Sequence, residues 1–237
     1  MELTVKDIIR IFAVPEETVN GWIEKKKMPY TLANEQRHFN YIALLDWALE
    51  NKIKLTPEVL ALGERQKQHS GILYEAVKTG GIYYDIPGGN REEVMKKIVD
   101  VLPLPQKTNR ELLVAMFIAR EKLTSTAVGD GIALPHVRNP VVLSIDRPSI
   151  TLCFLKDPVD FKALDHKLVY IVFTLLTTSV KEHMAILSRL AFCLQNTRLL
   201  ECLHTKASSE QILAELRVLG SMTSLSVKRD EKSENII

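Results

Sequence analysis

The segment Gly129-Asp130-Gly131-Ile132-Ala133-Leu134-Pro135-His136 limits the folds open to this chain more than any other. Two glycines admit backbone angles closed to other residues, and proline locks one dihedral. Between them, three apolar residues read as a buried strand. The segment therefore predicts a turn, a core strand and a histidine held rigidly and exposed at the strand's end. A histidine in a flexible loop needs no such framing, so His136 is where chemistry is expected.

The surrounding pattern is α/β. Ile150-Thr151-Leu152-Cys153-Phe154 and the run Val169 to Leu176 are apolar or β-branched nearly throughout, as in strands covered on both faces. A short strand, Ile82-Tyr83-Tyr84, follows the turn Thr79-Gly80-Gly81. Helical periodicity fills the intervals. Asn90 caps a helix with Val94, Ile98 and Val99 on one stripe. Asn109 or Thr108 caps another, through Leu112, Leu113, Met116, Phe117 and Ile118 to Arg120-Glu121. Further helices are predicted over Val180 to Gln195, Thr197 to Leu203 and Ser208 to Val218. Helices alternating with buried strands define an α/β domain.

Composition narrows the function classes. A net charge of +2 predicts neither a nucleic-acid coat nor a strongly anionic partner, so any basic surface is local. The apolar run Leu168 to Leu176 is shorter than the ~20 residues a bilayer needs, and Met1-Glu2-Leu3-Thr4 opens directly into a helix pattern. Cytoplasmic residence without membrane insertion is the expectation. The 3 cysteines, Cys153, Cys193 and Cys202, sit far apart in apolar segments and read as buried thiols in a reducing compartment. His136 and His183 with Asp130 or Asp165 lack the His-x-x-x-His or Cys-x-x-Cys spacing of common metal sites, so neither metal nor cofactor is expected.

The N-terminal region has a different pattern. Thr4 and Asp7 frame the start of a short helix, and Pro15-Glu16-Glu17 starts a second after a tight turn. Met28 to Leu32 and Arg37-His38-Phe39 read as strands around Ala33-Asn34-Glu35, and a third helix carries Ile42, Leu45, Trp47 and Leu49. Leu3 to Ile8, Val14 to Ile23, and Arg37-His38-Phe39 leading to Leu45-Asp46-Trp47 resemble the winged helix-turn-helix of excisionases and MerR-type regulators. That resemblance implies DNA contact, for which Lys25, Lys26, Lys27 and Arg37 are the candidate phosphate-contacting residues. Asn20 and Gly21 depart from the pattern, because recognition helices of that family often carry basic or aromatic residues there. As an alternative, the same module serves protein interaction or dimerisation.

Three polar residues stand at junctions of the α/β region: Arg120 at a helix end, His136 at a strand end and His183 in the first turns of a helix. Arginine offers a planar fork that matches a phosphate, and a histidine with one ring nitrogen held presents the other as a nucleophile. The segment from Arg120 to His136, with Lys181-Glu182-His183-Met184-Ala185-Ile186-Leu187-Ser188-Arg189-Leu190-Ala191, resembles the fructose/mannitol-type enzyme IIA domain of the bacterial sugar phosphotransferase system. Its nitrogen-regulatory members are the nearest in character. The resemblance implies a mixed β-sheet flanked by helices. It implies that His136 takes a phosphoryl group from an HPr-type phosphocarrier, steadied by Arg120 and His183. Asp165-His166 reads as structural.

Four regions follow: 1–53 a winged helix-turn-helix, 54–70 a helical linker, 71–220 the enzyme IIA domain, and 221–237 a disordered tail. The expected protein is a phosphotransferase component that regulates transcription or a partner protein. Helix-turn-helix readers usually act in pairs on two half-sites, which favours a homodimer. The alternative is a transport component passing its phosphoryl group to a separate IIB domain.

Overall fold

Asp7 reaches back to Thr4, accepting from its N–H at 2.8 Å, and this capping box starts helix α1, Val5–Phe12. Ala13 closes it in the left-handed conformation, and Pro15 introduces α2, Glu16–Lys26. The computed structural model describes residues 2–33, 35–56, 58–59, 71–137 and 145–220. Strands β1, Glu2–Leu3, β2, Thr31–Ala33, and β3, Gln36–Asn40, form an antiparallel sheet in the order β1-β3-β2. The expected strand over Met28 to Leu32 starts only at Thr31. Pro29 lacks the N–H a ladder needs. Asn40 caps α3, Tyr41–Glu50, through bonds to the Ile42 and Ala43 amides. Aromatic rings hold these helices together: Trp22 lies 5.3 Å from Phe12 and 5.5 Å from Trp47 between centroids, and the Trp47 indole donates to the Lys26 carbonyl.

The larger unit begins with α4, Ile72–Gly80, which leads into β4, Ile82–Ile86. Asn90 caps α5, Arg91–Val101, and Asn109 caps α6, Arg110–Leu123, which runs past the expected end at Glu121. A short strand not foreseen in the sequence, β5, Ala127–Gly129, pairs with β6, Ile132–Ala133. Asp130 and Gly131 make the turn, both at positive φ (52° and 76°), as a two-residue hairpin requires. β7, Ser149–Val159, and β8, Val169–Leu176, are the long central strands. α7, Val180–Cys193, α8, Thr197–His204, and α9, residues 209–220, complete the unit.

The sheet order is β4-β7-β8-β6-β5, with β4–β7 and β8–β6 parallel and the other pairs antiparallel. This is the mixed sheet flanked by helices that the enzyme IIA resemblance implies. Its two faces are separated by the strand alternation. Ile150, Leu152, Phe154, Ile171, Phe173 and Leu175 belong to one core with α7 and the N-terminal helices. Cys153, Leu155, Val172 and Leu176 belong to the other, with α5 and α6. The N-terminal unit thus shares a continuous core with one face of the sheet, through α3 packed on α7 and β5.

Cys153 and Cys193 are buried as expected, whereas Cys202, on the short α8, is partly exposed. The tail 221–237, Asn34 in the N-terminal turn and most of the linker lie outside the described residues. At the start of the linker, Leu55 is buried and its N–H donates to the Gln195 side chain at 3.2 Å.

Phe154 is fully buried and stacks on Tyr84, 4.9 Å between centroids, while the Tyr84 hydroxyl donates to the Ala207 carbonyl. Phe154→Ala leaves a cavity between sheet and helices. It is expected to lower unfolding free energy by ~3–5 kcal/mol, read from the urea midpoint at unchanged slope.

Candidate functional site

The site begins with a buried carboxylate at the end of α6. Glu121 is 5% exposed and accepts from the Thr126 N–H at 3.1 Å, from the Thr126 hydroxyl at 2.5 Å and from Ser125 at 3.3 Å. These bonds fix the link from α6 into β5. Across the hairpin, the Asp130 N–H donates to Asp165, and the Asp130 carboxylate takes Lys52 and Lys167, each at 2.8 Å. Asp165 is therefore structural, as read from the sequence, while His166 is exposed. Gly131 lies against Tyr170 so closely that a Cβ would run into the ring.

Past β6, the Pro135 carbonyl accepts from the Leu175 N–H at 3.1 Å, and His136 bridges in parallel to Leu175 of β8. The ring of His136 turns back so that Nδ1–H donates to the Leu134 carbonyl at 2.9 Å. That bond sets the tautomer and leaves Nε2 with its lone pair.

Ser179 caps α7 by accepting from the Glu182 N–H, and Glu182 accepts in return from Thr178. One residue on, the His183 ring sits 5.0 Å from that of His136, inclined by 51°. Its Nδ1 lies 3.3 Å from the Thr177 hydroxyl, and its buried Nε2 has no hydrogen-bond partner among the described residues. In the tautomer in which Thr177 donates to Nδ1, Nε2–H is a donor without an acceptor.

Arg120, one residue before Glu121, donates to the Thr124 carbonyl and to Asp46 of α3, both at 2.9 Å. The sequence assigns Arg120 to an anion. The anion it holds here is a carboxylate of the N-terminal unit.

The expected exposure of His136 is corrected. His136 is 2% exposed and His183 1%. The His183 ring of α7 lies against that of His136, and α3 packs on α7 in turn. Burial governs the electrostatics. It lowers His136 to about 4, assisted by the Arg120 charge and opposed by the Leu134 bond. Burial and the neighbouring His136 lower His183 to about 3, against the pull of Asp46. Asp46 is pushed up to about 6 by burial, opposed first by Arg120. Glu50, one turn further along α3, rises to about 7 from burial and the proximity of Asp46. Both rings are therefore neutral at pH 7, and neutral imidazole is the nucleophilic form.

The structure brings the His136 and His183 rings together, and the Arg120 charge acts on both. The basic residues of the N-terminal unit meet a mixed outcome. Lys25 and Lys26 are exposed in the last turn of α2, and Lys27 is exposed at its left-handed cap. Arg37 is only half-exposed, donates to Asn20 and lies 5.6 Å over the Tyr30 ring. Sequence reasoning missed Asp46, Glu50, Glu121 and Thr177. A signal existed for the first two, which are the only charged residues of α3 and stand one turn apart on an otherwise apolar helix. Among the described residues, no group of three or more His, Cys, Asp or Glu is placed to hold a metal ion.

A mixed α/β sheet with a buried histidine pair beside its strand ends is the architecture of this site. The family described as "Phosphoenolpyruvate-dependent sugar phosphotransferase system, EIIA 2" matches residues 76–218, and the chain belongs to that family. The Nitrogen regulatory protein of Pseudomonas aeruginosa is 30% identical over 144 residues, 59% of this chain and 91% of that protein. The PTS system fructose-specific EIIABC component of Bacillus subtilis is 30% identical over 135 residues, but the matched part is 21% of that longer protein. The structure of Nitrogen Regulatory Protein IIA-Ntr from Neisseria meningitidis is similar at TM-score 0.54 and 28% identity, covering 61% of this chain and 99% of that one. No helix among the described residues is long and apolar enough to cross a membrane.

The two buried rings are expected to stay neutral well below the range in which free histidine titrates. In an NMR titration of the full chain from about pH 8 to about pH 5.5, the His136 and His183 ring resonances should keep their neutral positions.

Proposed function

We propose that the chain is a phosphoryl-accepting regulator in which His136 is the acceptor. The observation that carries this reading is the His136 ring itself. Nδ1–H is committed to the Leu134 carbonyl, the His183 ring with its unpartnered Nε2 lies 5.0 Å away between centroids, and the Arg120 charge opposes protonation of His136. Membership in the EIIA 2 family supports it.

In the proposed step, His136 Nε2 attacks the phosphorus of a phosphohistidine on an HPr-type carrier. The new N–P bond forms as the carrier's N–P bond breaks, and the carrier's imidazole leaves with its electron pair. Catalysis is then positioning and charge stabilisation. His183 Nε2–H and the Arg120 guanidinium supply donors to the transferred oxygens. The product ring carries about −1.5 to −2 of new charge.

The N-terminal part, 1–53, is read as a winged helix-turn-helix, joined through 54–70 to the acceptor domain at 71–220, with 221–237 as a tail. Two helices across a left-handed turn, followed by a two-stranded ribbon and a third helix, support it. Exposed Lys25, Lys26 and Lys27 are the proposed phosphate contacts with DNA, and two copies would read two half-sites. The similarity to a fructose-specific EIIABC component favours a second reading, transfer onward to a separate IIB domain.

Incubation with a phosphorylated HPr-type carrier should add ~80 Da to the wild-type chain and nothing to His136→Ala, by intact mass. No gain in wild type with any carrier of this class rejects the acceptor role. Replacing Lys25, Lys26 and Lys27 with Ala should weaken DNA binding alike for all sequences. It should also flatten the salt dependence by about one unit of slope for each lysine removed, measured by fluorescence anisotropy.

A further inference from the structure

In the arrangement described, the acceptor site is closed. His136 and His183 are 2% and 1% exposed, which leaves a carrier's phosphohistidine little room to come in line with His136 Nε2. α3 packs on α7, which bears His183, and on β5, which leads into the His136 turn. From α3, Asp46 holds the Arg120 guanidinium at 2.9 Å, with side-chain exposures of 14% and 12%. A carboxylate and a phosphoryl group present the same kind of oxygens to the arginine fork. Asp46 engages the Nη2 end of that fork, and Nη1 is on the Thr124 carbonyl.

Resting on the acceptor reading above, we infer that Asp46 fills the phosphoryl seat from within the chain. α3 docked and His136 phosphorylated are then mutually exclusive states. Phosphorylation sets two or nearly two negative charges beside Asp46 and Glu50 and claims the arginine that Asp46 uses. Like charges in a half-buried cluster repel, and the docked state loses its principal ion pair. In the opposite direction, a docked N-terminal unit withholds His136 from the carrier.

The joint carries polar contacts at its rim: Asp46 to Arg120, Lys52 to Asp130, and the Leu55 N–H to Gln195. Beside the rim lies a cleft lined by Ala48, Leu49, Val128, Ile132, Leu194 and Leu200. Undocking α3 gives up part of the core that its apolar side shares with α7 and β5. It separates the basic helix end of the N-terminal unit from the acceptor domain, which is how phosphorylation would reach the DNA-contacting residues.

The test uses the full chain and a phosphorylated HPr-type carrier. Asp46→Asn keeps the shape of α3 and removes the charge that competes for Arg120, so initial phosphorylation of His136 should speed up by about tenfold. Lys52→Ala, an exposed rim change remote from the histidines, should speed it in the same direction by less. Small-angle scattering should show a larger radius of gyration for phosphorylated wild type than for the unmodified chain. Equal initial rates for wild type and Lys52→Ala, with Asp46→Asn also equal where it folds, overturn the inference, as does an unchanged radius. Those results leave the acceptor reading standing. Absence of any mass gain in all three forms instead rejects the acceptor reading, and this inference with it.

Discussion

The Glu121 carboxylate ties the end of α6 to the strand that leads into the histidine turn. It is buried, and its oxygens are satisfied by Thr126 and Ser125. A buried carboxylate left unpaired would be costly, so this loop has one arrangement. Arg120 precedes Glu121, and its charge acts on both histidines. β5 follows Thr126, and through the Asp130–Gly131 turn it delivers β6 and His136 to the edge of β8. Arg120 and His136 are thus both placed by one anchored point in the chain.

Burial then sets the chemistry. Removing water lowers the affinity of both rings for a proton, and the guanidinium beside them adds to that. Neutral imidazole is the nucleophilic form. The same burial raises Asp46 and Glu50. A pair of carboxylates and a pair of histidines therefore share one arginine in one poorly solvated cluster. Such a cluster has little tolerance for a further anion, which is the ground on which a phosphoryl group is proposed to compete with α3.

The α/β organisation was legible because strands covered on both faces need continuous apolar runs, and Ile150 to Phe154 and Val169 to Leu176 are such runs. The caps Asn90 and Asn109 were legible because their side chains act on amides a few residues away. β5 was not. Ala127-Val128-Gly129 is too short to show a period, and it is a strand only because β6 lies beside it. The exposure of His136 was misjudged for a similar reason. A strand end is open to water unless another element covers it, and α7 comes from a distant part of the chain.

By itself the sequence determined what depends on neighbours along the chain: the strand and helix segments, their caps, the Asp130–Gly131 turn and the framing of His136. It also marked Arg120 and His183 as chemically suited to join that residue. Only the tertiary structure decided what they face. Asp46 and Arg120 are separated by 74 positions, and nothing local to either encodes their 2.9 Å contact. Their pairing follows from the apolar side of α3 seeking cover on α7 and β5, a non-directional force that brings distant charges together. The closed state of the site is for that reason a property of the packed molecule.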